Sequence, residues 1–508
     1  MARVHLTIVI LLSLLSLGGC APSQHKEPQC HPANAAITKE KDSKSPTLLS
    51  HSVITKIDAV VAESMTSANG FDVPGCGLAV TVDDTIALLK TYGQSRLSPN
   101  QHAFGLDTIP AIGSISKTYT ALATIKLMED GKISSLLAPA TLYIDGNIDL
   151  PWSEALIQDL LSHTGGLNAF PAWDLFNDLA SMQSIYPDVK SPSLKPRLVL
   201  QGFMNNPANV LGPPAKGQSA QPIYSNVGYT ILGAIIDELA TDIYGQASQQ
   251  GYEHYVWREI ARGNAASEPA SPALCMGASI REQSVPTLAT GYTPTGNELN
   301  FSDSTQDGWG WAGPAGGWWA TIGDLARLML VLQSDLVVSQ QNIKNIMRKD
   351  FGALQPNLGN ASMRVGIGLE LSPISSTTKW YGKGGHIAGY SAHFRIWPGV
   401  QNDDERNFGV ALACNRGSMN GDSLNKIYSI LHASNQTLFA QPDPDIQVLQ
   451  RALAPFVSVD DRIDETSIAL LTEHLSRTHE GRLLLEAIEQ HNWTHAKHLI
   501  ARYMNGTE

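Results

Sequence analysis

The order of apolar and polar positions divides the chain into strand-like ends and a helical middle. Gly77–Val82 and Thr85–Tyr92 read as two strands separated by the Asp83-Asp84 turn. Similar runs return late, at Val365–Leu371, Tyr390–Trp397 and Phe408–Cys414, followed by a helix near Ser423–Ser434. Between them the period lengthens. Ala121, Leu122, Ile125 and Met128 recur at helical spacing until Gly131 ends the segment, and Tyr229–Leu239 and Asp324–Leu332 are helical again. Strands at both ends with helices inserted predict an α+β protein whose sheet joins early and late strands. There is no internal repeat.

The termini follow a different logic. Arg3 precedes an apolar stretch, Leu6 to Leu17, that is too short for a membrane span and reads as a secretion signal. Its ending, Leu17-Gly18-Gly19-Cys20, resembles a bacterial lipobox, which implies a signal peptide over 1–19 and lipidation of Cys20. Ala21 stands where an inner-membrane retention aspartate would sit, so the expected address is the cell envelope, on the periplasmic side of the outer membrane. Residues 20–52 are polar, with Lys39-Glu40-Lys41-Asp42-Ser43-Lys44, and read as a tether. Gln441-Pro442-Asp443-Pro444-Asp445 breaks the pattern at the other end. A helical extension over 441–508 follows, carrying Ile446, Leu449, Leu453, Leu470, Leu471, Leu483 and Ile488.

Charge narrows the partners. With 35 basic and 47 acidic residues in 508, the net charge is −12 and no basic tract is present, which disfavours nucleic acid. Beyond Cys20, the cysteines Cys30, Cys76, Cys275 and Cys414 are too scattered for a disulfide framework. Cys76 and Cys414 both fall in strand-like runs, where packing as small buried hydrophobes is expected over pairing.

Three short motifs carry chemistry. In Ser114-Ile115-Ser116-Lys117, a hydroxyl and an amine stand three residues apart at the start of a helix, on one face. A serine becomes nucleophilic when a neighbour takes its proton, and a desolvated lysine can do so. Tyr224-Ser225-Asn226 precedes a second helix. A tyrosine near an ammonium ionises more easily and can shuttle the proton, while Asn226 offers both a donor and an acceptor. Lys383-Gly384-Gly385-His386 lies on a late strand, where glycines admit a substrate backbone and a strand N–H can serve an oxyanion hole. Each motif alone has a plainer reading: a helix cap, a helix-entry turn and a hairpin.

In order, Ser-x-x-Lys, Tyr-x-Asn and Lys-Gly-Gly resemble the class C β-lactamase-like and penicillin-binding serine hydrolases. Connecting segments resemble that family too: Pro74-Gly75, Asp159-Leu-Leu-Ser-His-Thr-Gly-Gly-Leu167, Leu288-Ala-Thr-Gly-Tyr292 and Ala315-Gly-Gly-Trp-Trp-Ala-Thr-Ile-Gly-Asp-Leu325. The resemblance covers residues 53–435. It implies a β-lactamase/transpeptidase-like fold, with an antiparallel sheet of N- and C-terminal strands around a helical insertion. It implies an acyl-enzyme on Ser114, with Lys117 and Tyr224 sharing the general-base work in an order left open. It further implies an oxyanion hole from the N–H groups of Ser114 and His386 beside Gly385, and substrate orientation by Asn226 and Lys383. No cofactor and no metal are implied, and the partner is a small-molecule, short peptide or ester substrate. A non-catalytic penicillin-binding-type sensor is the alternative, and oligomeric state is not readable.

Some residues stay outside that scheme. Gly384 removes the hydroxyl that the family's Lys-Thr-Gly carries, so substrates bearing a carboxylate are expected to bind poorly. His163 is expected to be structural rather than a base. Trp309, Trp311, Trp318 and Trp319 read as packing, with an aromatic substrate wall as the alternative. His491, His495 and His498 share a helix face but lack the carboxylate or cysteine of a usual metal set.

Overall fold

The computed structural model describes residues 49–66, 70–144, 155–167, 221–244, 251–262, 275–276, 287–299, 313–354, 363–399, 406–416, 422–435 and 438. Its centre is an eight-stranded antiparallel sheet of β1 (Gly75–Val82), β2 (Thr85–Arg96), β3 (His102–Ala103), β4 (Arg364–Val365), β5 (Glu370–Leu371), β6 (Tyr381–Ile387), β7 (Tyr390–Trp397) and β8 (Phe408–Cys414). The order across the sheet is β3-β2-β1-β8-β7-β6-β5-β4, so early and late strands meet where β1 pairs with β8. This is the junction expected from the sequence.

The two faces differ because of side-chain size. Along β1 the odd and even positions point to opposite faces. Leu78, Val80 and Val82, with Val410 and Leu412 of β8, bury against helices α1 (His51–Met65) and α6 (Asp422–Ala433) through Val53, Ile57, Val61, Leu424 and Ile427. The other face carries Gly77, Ala79, Ala411 and Ala413, and these small residues admit helix α5 (Ile322–Val331) closely. A Cβ on Gly77 would fall 2.8 Å from Ile322 Cβ. Helix α5 starts with a reciprocal cap: Asp324 N–H donates to Thr321 Oγ1, and Thr321 N–H donates to Asp324 Oδ2.

Helix α2 (Ser116–Glu129) shares the core on this face with α3 (Ile157–Leu161) and α4 (Asn226–Tyr244), and α4 packs against both. Among the described residues, no helix is long and apolar enough to cross a membrane.

Two expectations change. Cys76 and Cys414 form a disulfide instead of packing as free thiols, because the β1–β8 register makes them direct cross-strand partners. The run Val365–Leu371 is not one strand. Gly366 N–H donates to Leu369 O, and Gly368 takes a φ of 67°, folding the run into the β4–β5 hairpin. The bend requires glycine, since a Cβ on Gly368 would lie 2.5 Å from Ala121 Cβ and 3.1 Å from Lys117 O. Cys20, Cys30 and the 441–508 extension lie outside the described residues.

Candidate active site

The nucleophile turn is pinned before the helix begins. Ile112 N–H donates to Trp318 O at 3.0 Å, and a single 3₁₀ turn, Gly113–Ile115, feeds into α2. Ser116 Oγ donates to Gly113 O at 2.6 Å and accepts from Trp318 N–H at 3.1 Å. Helix α2 is buried on almost every side, so its polar side chains need partners. Thr118 Oγ1 donates to Gly368 O, and Thr120 Oγ1 to Pro314 O. Ser114 is half-buried at the mouth of this arrangement.

Lys117 is fully buried, and three acceptors surround its amine. Nζ donates to Asn226 Oδ1 at 2.7 Å, to the Ala315 carbonyl, and to Ser114 Oγ at 3.3 Å. Burial pushes its pKa down from 10.5 to about 8, against the pull of the nearby Tyr224 oxygen. The Tyr224 hydroxyl donates to the same Ser114 Oγ at 2.7 Å. Burial alone would raise the Tyr224 phenol, but the Lys117 and Lys383 charges outweigh it and lower its pKa. Nζ of Lys117 and Nζ of Lys383 lie 4.8 and 5.3 Å from the Tyr224 ring centroid.

Strand β6 closes the other side. A Cβ on Gly385 would fall 2.0 Å from Ile112 O and 2.9 Å from Ser114 N, and one on Gly113, at φ 50°, would fall 2.8 Å from His386 N. Only glycines allow the backbones of the nucleophile turn and β6 to meet, and their meeting brings the Ser114 and His386 N–H groups together. Lys383 is buried and ion-paired with Glu370 of β5, whose second carboxylate oxygen accepts the Gly384 N–H at 3.2 Å. The attraction overcomes the cost of burial, so Lys383's pKa is raised and Glu370's is lowered.

Ser114, Lys117, Tyr224 and Asn226 thus converge within hydrogen-bond reach, with Lys383, Gly385 and His386 beside them. Trp318 and Trp319 are buried in the cores rather than forming an aromatic substrate wall, and Trp318 Nε1 donates to the Tyr252 hydroxyl at 3.0 Å. Trp309, Trp311, His491, His495 and His498 fall outside the described residues. Among the described residues, no group of three His, Cys, Asp or Glu side chains is placed to hold a metal. Sequence reasoning missed the Ala315 carbonyl, which leaves no side-chain signature. It also missed Glu370, whose signal was a lone acid between Leu369 and Leu371 in an apolar run.

Comparisons with known proteins bear on the fold and the family. The chain is 29% identical over 150 residues to "Probable hydrolase M10" of Phoma sp., covering 27% of this chain and 25% of that protein. It spans between about a quarter and just over half of the length of the curated relatives it matches. Its fold is similar to the octameric penicillin-binding protein homologue of Pyrococcus abyssi, at TM-score 0.56 and 20% identity, covering 79% of this chain and 82% of that one. It is also similar to the D-amino acid amidase of Ochrobactrum anthropi SV3, at TM-score 0.56 and 19% identity, covering 75% and 99%. The Beta-lactamase family profile matches residues 57–435, most of the chain. The antiparallel sheet with its inserted helices and a family match of this extent lead to one conclusion: the chain belongs to the Beta-lactamase family.

Proposed function

We propose that the protein is a serine hydrolase that cleaves an amide, ester or β-lactam carbonyl through an acyl-enzyme on Ser114. The observation that carries this reading is the convergence of Lys117 Nζ and the Tyr224 hydroxyl on Ser114 Oγ. A neutral lysine has two N–H groups and one lone pair. Asn226 Oδ1 and the Ala315 carbonyl are both acceptors and claim the two N–H groups, which leaves the lone pair for Ser114.

In the first half-reaction Ser114 Oγ attacks the carbonyl carbon and its proton passes to Lys117. The oxyanion is stabilised by the N–H groups of Ser114 and His386. Tyr224 gives its hydroxyl proton to the leaving nitrogen or oxygen, the carbonyl re-forms as that bond breaks, and Lys117 then reprotonates Tyr224. In the second, Tyr224 takes a proton from water while passing its own to Lys117. The new hydroxide attacks the ester, and Lys117 returns the proton to Ser114 Oγ as the acid leaves.

A fluorophosphonate probe and 4-nitrophenyl acetate test this reading. Labelling at Ser114 and release of nitrophenolate are expected, both abolished in Ser114→Ala, with that variant's stability within about 1 kcal/mol of the parent. No labelling and no turnover would instead favour a non-catalytic binding module. The Leu17-Gly18-Gly19-Cys20 ending supports lipid attachment at Cys20 in a bacterial envelope. Cys20→Ser should then move the protein from the detergent phase to the aqueous phase.

A further inference from the structure

We propose that Glu370 sets the substrate class of this site: by holding Lys383 in a buried ion pair, it turns the pocket away from acyl donors that carry a carboxylate near the scissile bond and toward uncharged esters and amides. The inference rests on the serine hydrolase reading above.

Lys383 stands at the reaction centre, with its ammonium 5.3 Å from the ring centroid of Tyr224. An unpaired ammonium in such a place would draw a substrate carboxylate through charge-assisted hydrogen bonds. Here that role is already filled from within the chain. One Glu370 oxygen takes the Lys383 ammonium and the other takes the Gly384 N–H, and the two side chains are only 5% and 14% exposed. The fold specifies this placement. The bend at Gly366–Gly368 makes the β4–β5 hairpin, and Glu370 is the cross-strand partner of Gly382, next to Lys383.

The neighbouring position offers an anion nothing either. A Cβ on Gly384 would meet His393 Nδ1 at 2.9 Å, so a side chain there requires the His393 ring to shift, and Gly384 itself brings no hydroxyl to share an anion. An incoming carboxylate would face Glu370 as a like charge. To bind Lys383 it would have to displace a buried partner and leave that partner unpaired. An uncharged acyl group meets neither penalty.

The test uses two esters of one shape, 4-nitrophenyl hydrogen succinate and its methyl ester, on the full chain, with spontaneous hydrolysis subtracted. The parent enzyme is expected to favour the methyl ester in kcat/KM by at least about ten-fold. Glu370→Gln keeps the shape but removes the charge, and should shift the ratio toward the acid by at least about ten-fold. Loss of local structure alone would lower both rates and leave their ratio unmoved. A parent enzyme with no preference, or one favouring the acid, overturns the inference, and this measurement needs no variant. An unchanged ratio in a folded Glu370→Gln does the same, as does Ser114 labelling without nitrophenolate release from the methyl ester. If the fluorophosphonate fails to label Ser114 and neither ester is turned over, the hydrolase reading falls and takes this inference with it.

Discussion

The ring of His163 lies against the ring of Tyr224, with centroids 4.6 Å apart. His163 also grips the chain on both sides of that tyrosine. Its Nδ1 accepts the Ser225 N–H at 3.1 Å, and its carbonyl accepts the Ile223 N–H at 2.9 Å. The residue sits at φ 63° in a turn fastened by Asp159, whose carboxylate accepts the Leu156 N–H and the Thr164 hydroxyl. Burial, together with the charges of Lys117 and Lys383, holds the imidazole well below its ordinary pKa, so it is neutral at physiological pH. On this geometry its expected role is to position Tyr224 rather than to exchange protons.

His163→Ala should therefore lower kcat/KM about 10- to 100-fold, since a small displacement of a reacting group has costs of that order. His163→Asn retains an acceptor for the Ser225 N–H and should recover part of the loss. The parent's pH–rate profile should show no inflection near 6.5. A full-rate His163→Ala would remove the positioning role.

Lys117 gives the profile its shape. Only the neutral amine can take the Ser114 proton, and burial pushes its pKa to about 8. Log kcat/KM should rise with pH below about 8 and level off above it. Lys117→Arg keeps a charge that does not dissociate and should abolish acylation at every pH. Linkage sets a second sign. The folded pKa lies below the ordinary 10.5, so the unfolded chain binds more protons between the two values. Burying Lys117 therefore costs stability at neutral pH, and that cost shrinks as pH rises from about 8 to 10.5. Steady-state rates and denaturant midpoints across that range check both.

How far the sequence revealed this site depended on the kind of interaction. Ser114, Lys117, Tyr224 and Lys383 were legible because their chemistry is carried by side-chain type at short, ordered spacing. The segment around His163 and the one after Ala315 were visible as motifs, but their purposes were not. His163 acts through a turn and a ring contact, and Ala315 through a backbone oxygen that any residue possesses. Glu370 was hidden for another reason. Its partner is 13 residues away across the β5–β6 pairing, and β5 itself starts only after Gly366 and Gly368 bend an apolar run that otherwise reads as one strand. The early strands and the late runs Tyr390–Trp397 and Phe408–Cys414 were readable from the apolar and polar pattern, whereas the register that opposes Cys76 and Cys414 was not.

Gly385 offers a test of the oxyanion hole. The Cβ of an alanine there would press on Ile112 O and Ser114 N and force β6 away from the nucleophile turn. Gly385→Ala should cut kcat about 10²- to 10³-fold, the scale of losing an oxyanion donor, at a stability cost of about 1–3 kcal/mol. Stopped-flow acylation beside a denaturation curve separates the two. Near-normal acylation would show that β6 does not supply the donor.

The disulfide joins the site to the far side of the sheet. Cys76 pairs with Cys414, Cys414 with Ser391, and Ser391 with His386, so one row runs from β1 through β8 and β7 to β6. The bond closes a separation of 338 residues, and its main effect is to limit the unfolded chain rather than to shape the site. Removing it by Cys76→Ala with Cys414→Ala, or by reduction, should cost roughly 2–5 kcal/mol. The folded enzyme should keep its kcat, because Cys76 and Cys414 belong to the core beneath α1 and α6, whereas Ile115 and Ala315 belong to the core on the opposite face. Calorimetry with and without reductant, with mass spectrometry reporting the thiol state, measures the first effect, and 4-nitrophenyl acetate turnover below the transition measures the second. An unchanged melting temperature in a fully reduced sample would show that the bond contributes nothing to stability. A lost kcat in a folded reduced sample would show that the row across the sheet carries strain into the position of the His386 N–H.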